Sequence, residues 1–200
     1  MEQRPDECAD AHNGLAEKVQ EYEITMHSLK TKIADLEDQS WRNNIRIRGI
    51  PETVLPTGLN DYLQDMFQAL TPAIHPDQLV VDRVHRLRRP QHLPATAERD
   101  VIARIHFFHA KELIMKASRT AEMSDPYGHI KMFADLSAET LQYRKNLAQI
   151  TATLREKKIA DRWGYPAKLL IHYEGKMHTI SNLDTGLAKL NDWGIQVRDA

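Results

Sequence analysis

The sequence predicts an α+β chain in three parts: a coiled-coil helix over residues 1–40, a β-α-β-β-α-β domain over 41–133 and a small α-β-β-α domain over 134–200. Three observations lead there. Apolar residues first repeat every 3.5 positions, then every two, then in mixed stretches of two and 3.6. Acidic charge is concentrated in the first part. The composition, 42% hydrophobic and 28% charged, is that of a chain able to bury a core.

The first part carries a heptad seam. Leu15, Val19, Tyr22, Met26, Leu29, Ile33 and Leu36 follow at alternating spacings of four and three, which places them at the a and d positions of a left-handed coiled coil. Lys18 precedes Glu23 by five residues and Lys32 precedes Glu37 by five, the spacing that pairs charges across a parallel seam. The plainer alternative is an amphipathic helix packed on its own domain, but such helices show a wider apolar stripe. Val and Ile at a with Leu at d lean toward two strands on simple rules, whereas Tyr22 and Met26 specify a dimer poorly.

From Asn44 the period becomes two. Ile45 and Ile47 alternate with Arg46 and Arg48 until Gly49 and Pro51 stop the strand. Residues 59–70 (LNDYLQDMFQAL) read as a helix with Leu59, Tyr62, Leu63, Met66, Phe67 and Leu70 on one stripe. Residues 79–88 are β-branched and basic, a second strand that carries Arg83, Arg86 and Arg88. A patternless loop lies between Pro90 and Pro94, residues 99–107 alternate as a third strand, residues 109–119 form a helix, and 129–133 a short last strand. This order is the split βαβ, ferredoxin-like plan with one sheet face covered by helices and the other open. Right-handed crossovers put the first and third strands side by side, so Arg46, Arg48 and Arg104 are expected on the open face with no matching carboxylates. Recognition domains of this plan that stack bases carry aromatics on these two strands; here arginine stands in their place, and the aromatic signal is absent.

The last part opens on Ser137 as helix cap, with one helix to about Lys158. Leu141, Leu147, Ile150 and Leu154 form its expected buried side, and Arg144, Thr151, Arg155 and Lys158 a basic ridge. Residues 168–173 and 177–180 read as a hairpin around Glu174-Gly175, and residues 183–193 as a final helix stopped by Gly194. Trp163 and Trp193 are expected in the core. Tyr165, in Gly-Tyr-Pro, fits either a buried aromatic or an exposed stacking ring.

Several function classes drop out. No apolar run approaches the roughly 18 residues of a membrane span, and MEQRPDECAD shows no apolar stretch of a secretory signal. The single Cys8 excludes a disulfide framework and a cysteine zinc site. The ten histidines, His85, His106 and His109 among them, lack metal-ligand spacing, and no glycine-rich phosphate loop or nucleophile pattern occurs. No enzyme, cofactor, metal site or small-molecule substrate is expected. The net charge of −1 argues against a nucleic-acid binder until it is divided: residues 1–40 hold 4 basic and 10 acidic residues, residues 41–133 hold 13 and 10, and residues 134–200 hold 10 and 8.

The wording of the sequence also carries a likeness. NNIRIRGIPE, RVHRLRRP, DVIARIHFFHAKE, ADLSAETLQYRK and RWGYPAKL occur in one order, and together they resemble the first-open-reading-frame protein of LINE-type retrotransposons over about residues 41–198. The resemblance implies a parallel coiled-coil homotrimer whose chains each carry an RNA-recognition (RRM-like) domain and a C-terminal nucleic-acid-binding domain. It implies a chaperone that packages retrotransposon RNA, binds single-stranded RNA and single-stranded DNA, and resides in cytoplasmic ribonucleoprotein particles and the nucleus. The family's binding arginines fall on Arg46, Arg104 and Arg144 and its tyrosine on Tyr165. Arg83, Arg86, Arg88 and Arg89 lie in its variable basic strand and loop, while Arg48, Arg155 and Arg162 complete the candidate nucleic-acid-binding set. Two alternatives stand beside this: a domesticated coiled-coil scaffold that reuses the fold to bind protein, and a non-oligomeric RNA binder with a docked N-terminal helix.

Overall fold

A computed structural model describes residues 4–91, 93–120, 123, 125–165 and 167–197, with side chains in the first helix described from His12 onward. Pro166 of the predicted Gly-Tyr-Pro turn and residue 198 lie outside the described set. The chain divides into two compact units, residues 38–136 and residues 137–200 together with the first helix up to Glu37.

Helix α1 runs from Arg4 to Trp41 without interruption, about 57 Å at 1.5 Å per residue. Its whole heptad seam is exposed: Leu15, Val19, Tyr22, Met26, Leu29, Ile33 and Leu36 each show between 47% and 67% of their surface. On a different stripe, Ala34 and Asp38 are buried. The side of the helix used within the chain is therefore not the seam.

In the unit of residues 38–136, β1 (Asn44–Arg48) is followed by α2 (Leu59–Leu70), β2 (Val81–Arg86), β3 (Val101–Ile105), α3 (Phe108–Thr120) and β4 (Lys131–Ala134). The strands pair antiparallel in the order β2-β3-β1-β4, with β1 and β3 at the centre. Period-two alternation decides what is buried. Ile45, Ile47, Val101, Ala103 and Ile105 point inward and pack with Leu63, Met66 and Phe67 of α2 and Ala110, Ile114 and Met115 of α3. Each of the larger of these side chains contributes about 1.5–3 kcal/mol when withdrawn from water. β1 ends at Gly49, whose φ of +95° turns the chain away and whose carbonyl lies 2.8 Å from His129 Nε2.

In the unit of residues 137–200, Ser137 Oγ accepts the backbone N–H of Thr140, the predicted cap. The predicted single helix is broken at Leu147 into α4 (Ala138–Asn146) and α5 (Ala148–Glu156). Leu147 is buried with Ile150 and Leu154, but Leu141 is 46% exposed and does not share their face. The expected hairpin is present as β6 (Lys168–Tyr173) and β7 (Lys176–Ile180), with Glu174 and Gly175 both at positive φ as a two-residue turn requires. An unpredicted strand, β5 (Asp161–Gly164), adds to β6 and makes a three-stranded sheet in place of the two-stranded one. Helix α6 (Leu183–Asp192) closes the unit and approaches so tightly that a Cβ on Gly186 would lie 2.3 Å from Ile150 Cδ1.

Helices α5 and α6 end in the same way. In α5 the N–H groups of Lys158 and Ile159 donate to the carbonyls of Arg155 and Leu154; in α6 those of Gly194 and Ile195 donate to Asn191 and Leu190. This double bond pattern needs a left-handed residue just past the helix, glycine by preference. Gly194 meets the need at φ +68°, while Lys158 meets it at φ +56° with a full side chain.

Candidate nucleic-acid interface

Register places the first site. Across β1, residue 46 faces Ile102 on one side and Phe133 on the other; Asn44 faces Arg104; Arg48 faces Lys131; Arg104 faces Arg83. Cross-strand partners project from the same side of a sheet. Arg46, Arg48, Arg83, Arg104 and Lys131 therefore share the face that the helices leave uncovered, with Ile102 and Phe133 among them.

The neighbouring asparagines hold this face in place. Asn43 Nδ2 donates to the carbonyls of Ile105 (3.0 Å) and His106 (3.1 Å), and Asn44 Nδ2 to Asp135 Oδ2 at 2.9 Å. The start of β1 is thus stitched to the ends of β3 and β4, and Arg46 two residues on has a fixed origin.

The expected absence of carboxylates is corrected here. Asp100, immediately before β3, accepts from Arg46 Nε at 2.9 Å and from Arg48 Nε and a terminal nitrogen at 2.9 and 3.0 Å. The Arg48 hydrogen bond, and then the positive charge of both arginines, hold the Asp100 carboxyl below its ordinary range against the opposing effect of burial. Arg104 donates to the Ser40 carbonyl at 3.2 Å and lies 3.9 Å from Asp82. Arg83 and Arg88 form no salt bridge with a described carboxylate and are exposed.

Arg86 does not belong to this surface. It faces Val101 across the β2–β3 pair, on the covered side. Its side chain is only 4% exposed, and its guanidinium donates to the carbonyls of Ile50, Pro51, Val54 and Arg99. Arginine in a strand reads as solvated, but this one fastens the segment after β1 to the end of β2. Glu52 completes the fastening through a bidentate contact with Arg99, which brings its pKa down to about 2. Beside it opens a cleft of about 600 Å³ whose lining includes Arg46, Arg48, Arg88 and Asp100 together with Leu87 and Leu93.

Aromatic rings that the sequence reading missed stand around the face. Phe133 is 41% exposed, with the Arg48 guanidinium carbon 5.5 Å from its ring centroid. Phe107 is 46% exposed and meets His106 edge-on at 4.5 Å, and His106 Nδ1 lies 2.8 Å from Asp82 Oδ1. Phe108 stands 5.7 Å from the Arg42 guanidinium and 5.6 Å from Lys111 Nζ. The signal of Phe133 was present in the sequence as MFA, and register puts it on the open face; Phe107 and Phe108, in HFF, follow the last paired residue of β3, where the alternation that groups Phe107 with Val101, Ala103 and Ile105 has already ended.

The second candidate site is in the unit of residues 137–200. Arg144, in the last turn of α4, lies with its guanidinium 4.8 Å over the ring of Trp163 on β5. Trp163 also meets Tyr143 edge-on at 6.2 Å, and burial pushes the Tyr143 hydroxyl above its usual pKa. Trp163 is partly buried, packed against the core of its unit while its ring lies under the arginine. Arg155 is exposed in the last turn of α5 and opposes the upward shift that burial imposes on Asp161. Arg162 precedes Trp163 on β5 and so projects from the opposite sheet face, which separates it from Arg144. Tyr165 is exposed, and its hydroxyl donates to the Asp35 carboxylate of α1.

Among the described residues no three His, Cys, Asp or Glu side chains are grouped as metal ligands, and no helix is long and apolar enough to cross a membrane.

No family model matches the chain. It is similar, at 26% identity over 178 residues, to the LINE-1 type transposase domain-containing protein 1 of Mus musculus, covering 88% of this chain and 23% of that protein. It is similar at 27% over 180 residues to the LINE-1 retrotransposable element ORF1 protein of Mus musculus, covering 88% of this chain and 50% of that protein. The chain thus spans half or less of the length of these curated relatives. With two such relatives matching it over most of its length, the chain is LINE-1 ORF1-like.

Proposed function

We propose that this protein binds single-stranded RNA, and single-stranded DNA, with little sequence preference, and packages retrotransposon RNA as a nucleic-acid chaperone. The observation that carries this is the open sheet face, where five cations from four strands converge over an uncovered side of the sheet. Guanidinium groups suit the task because they bond phosphate bidentately and stack on bases. The strand order of residues 38–136 fits an RNA-recognition (RRM-like) plan, and the exposed seam of α1 fits a parallel homotrimeric coiled coil joining three such chains. Arg144 over Trp163 supplies a second contact, and ribonucleoprotein particles in the cytoplasm and nucleus are the setting this implies.

Filter binding across a salt series tests the reading. With about four phosphate contacts per chain, the slope of log affinity against log salt is roughly −2.8, at about −0.7 per contact on a single strand. Arg144→Ala lowers the affinity and makes the slope shallower by about 0.7. Salt-independent binding overturns the reading. A second reading, a domesticated scaffold with little nucleic-acid binding, is favoured by Asp100, which already neutralises part of Arg46 and Arg48. Weak binding that is indistinguishable between wild type and Arg144→Ala selects it.

A further inference from the structure

The sheet face lacks aromatic side chains on its two central strands, yet it is not without aromatic rings. On β4, Lys131 and Phe133 alternate with Met132 and Ala134, and Phe133 faces Arg46 directly while Lys131 faces Arg48. Met132 packs on the core, so burial is served by the other side of the strand. Phe133 instead keeps 41% of its surface open and has a guanidinium for a neighbour. Phe107 follows β3 beyond Arg104, 46% open, its ring set edge-on to His106, which Asp82 in turn engages through Nδ1. Isolated exposed apolar side chains are ordinary on protein surfaces. These two differ in that each lies against a cationic or imidazole group: Phe133 stands by register on the face carrying Arg46, Arg48, Arg83, Arg104 and Lys131, and Phe107 lies two residues past the end of β3, against His106.

We propose that Phe133 and Phe107 are base-stacking platforms, so that this sheet holds unstacked bases on rings at its edge and end while the central arginines hold the phosphates between them. The occupant is a single strand of nucleic acid, because only a ligand with both planar apolar faces and regularly spaced negative charge matches the alternation of rings and guanidiniums. Arg48 reaches both Asp100 and the Phe133 ring, with its guanidinium carbon over the ring at 5.5 Å from the centroid. Phe133 thus does from β4 what an aromatic on β1 or β3 does elsewhere. The proposal rests on the nucleic-acid reading above and adds to it that part of the affinity comes from bases and not from charge.

The test compares two strands of about 12 units, within the size range of single-strand sites, against the full chain: one an oligouridylate, the other an abasic ribose-phosphate of equal charge. Wild type prefers the base-bearing strand. Phe133→Ala lowers its affinity for that strand roughly 5- to 150-fold, the equivalent of about 1–3 kcal/mol per stacked base, and leaves the abasic strand unaffected. Phe107→Ala behaves likewise, and Phe133→Tyr retains the wild-type preference because it keeps the ring. Since both side chains are exposed, all three variants keep the wild-type melting temperature. Wild type binding both strands equally, or Phe133→Ala and Phe107→Ala retaining the full base preference, overturns the proposal and leaves phosphate-driven binding standing. Wild type binding neither strand overturns the nucleic-acid reading and this proposal with it.

Discussion

Arg83 and Arg86 are three positions apart on one strand and stand in opposite environments. Arg83 is exposed beside Arg104, whereas Arg86 has four backbone carbonyls to satisfy and almost no contact with solvent. Removing a buried charged donor strands its acceptors, a loss of about 3 kcal/mol. Arg86→Ala therefore lowers the midpoint of denaturant unfolding of the unit of residues 38–136, while the fraction that remains folded binds RNA as wild type does. Arg83→Ala does the reverse, with stability unchanged within about 0.5 kcal/mol and weaker binding. Equilibrium unfolding beside filter binding separates the two. Composition cannot make this distinction, because Arg86 sits in a basic run, RVHRLRR, that reads as uniformly solvated. The register shift between Val81 and Arg83 is what sets Val84 and Arg86 inward. Asp100 escaped notice for a related reason: it precedes its strand, and only the antiparallel pairing brings it to two arginines on β1.

The two helix endings make a controlled comparison within one unit. Both use the same pair of backbone hydrogen bonds, but α6 places glycine at the left-handed position and α5 places Lys158 there. A side chain at that position costs about 1 kcal/mol that glycine does not. Lys158→Gly accordingly stabilises the unit of residues 137–200 by about that amount, less a part returned as greater freedom of the unfolded chain, measured as an upward shift in thermal midpoint. A drop in midpoint shows that the lysine is held by contacts worth more than its strain. Elements with a clean period were legible in advance: β1, α2, the β6–β7 hairpin and α6 agree with the predicted spans to within a few residues. The break at Leu147 was not, since no Gly or Pro marks it and Leu147 is itself a core residue. Nor was β5, whose sequence Asp-Arg-Trp-Gly has no alternation; it forms by backbone pairing to β6, which has.

For the whole molecule, α1 presents a seam that is exposed among the described residues. On the proposed homotrimer, these seven large apolar side chains, in register along one helix, are withdrawn from water by other copies of the chain. Leu29→Pro removes a backbone donor and breaks the helix in the middle of that seam. The expected result is a fall in sedimentation mass to that of one chain, with a far greater loss of binding to long RNA than to short oligomers, because linked sites lose their shared effective concentration. Equal losses on both lengths argue against linked sites. The acidic seam segment and the basic remainder also explain why the net charge of −1 misleads: residues 41–200 carry +5 once the −6 of residues 1–40 is set apart.

Asp100 gives that modest charge a further meaning. A phosphate arriving at Arg46 and Arg48 meets a site that already has an anion in it, built into the protein and unable to diffuse away. Binding there is an exchange of partners, and so is release, with the carboxylate ready to reclaim the arginines as the strand lifts off. On the proposed reading, a strand bound there gives up each such contact to the carboxylate rather than to solvent, and so is rearranged contact by contact.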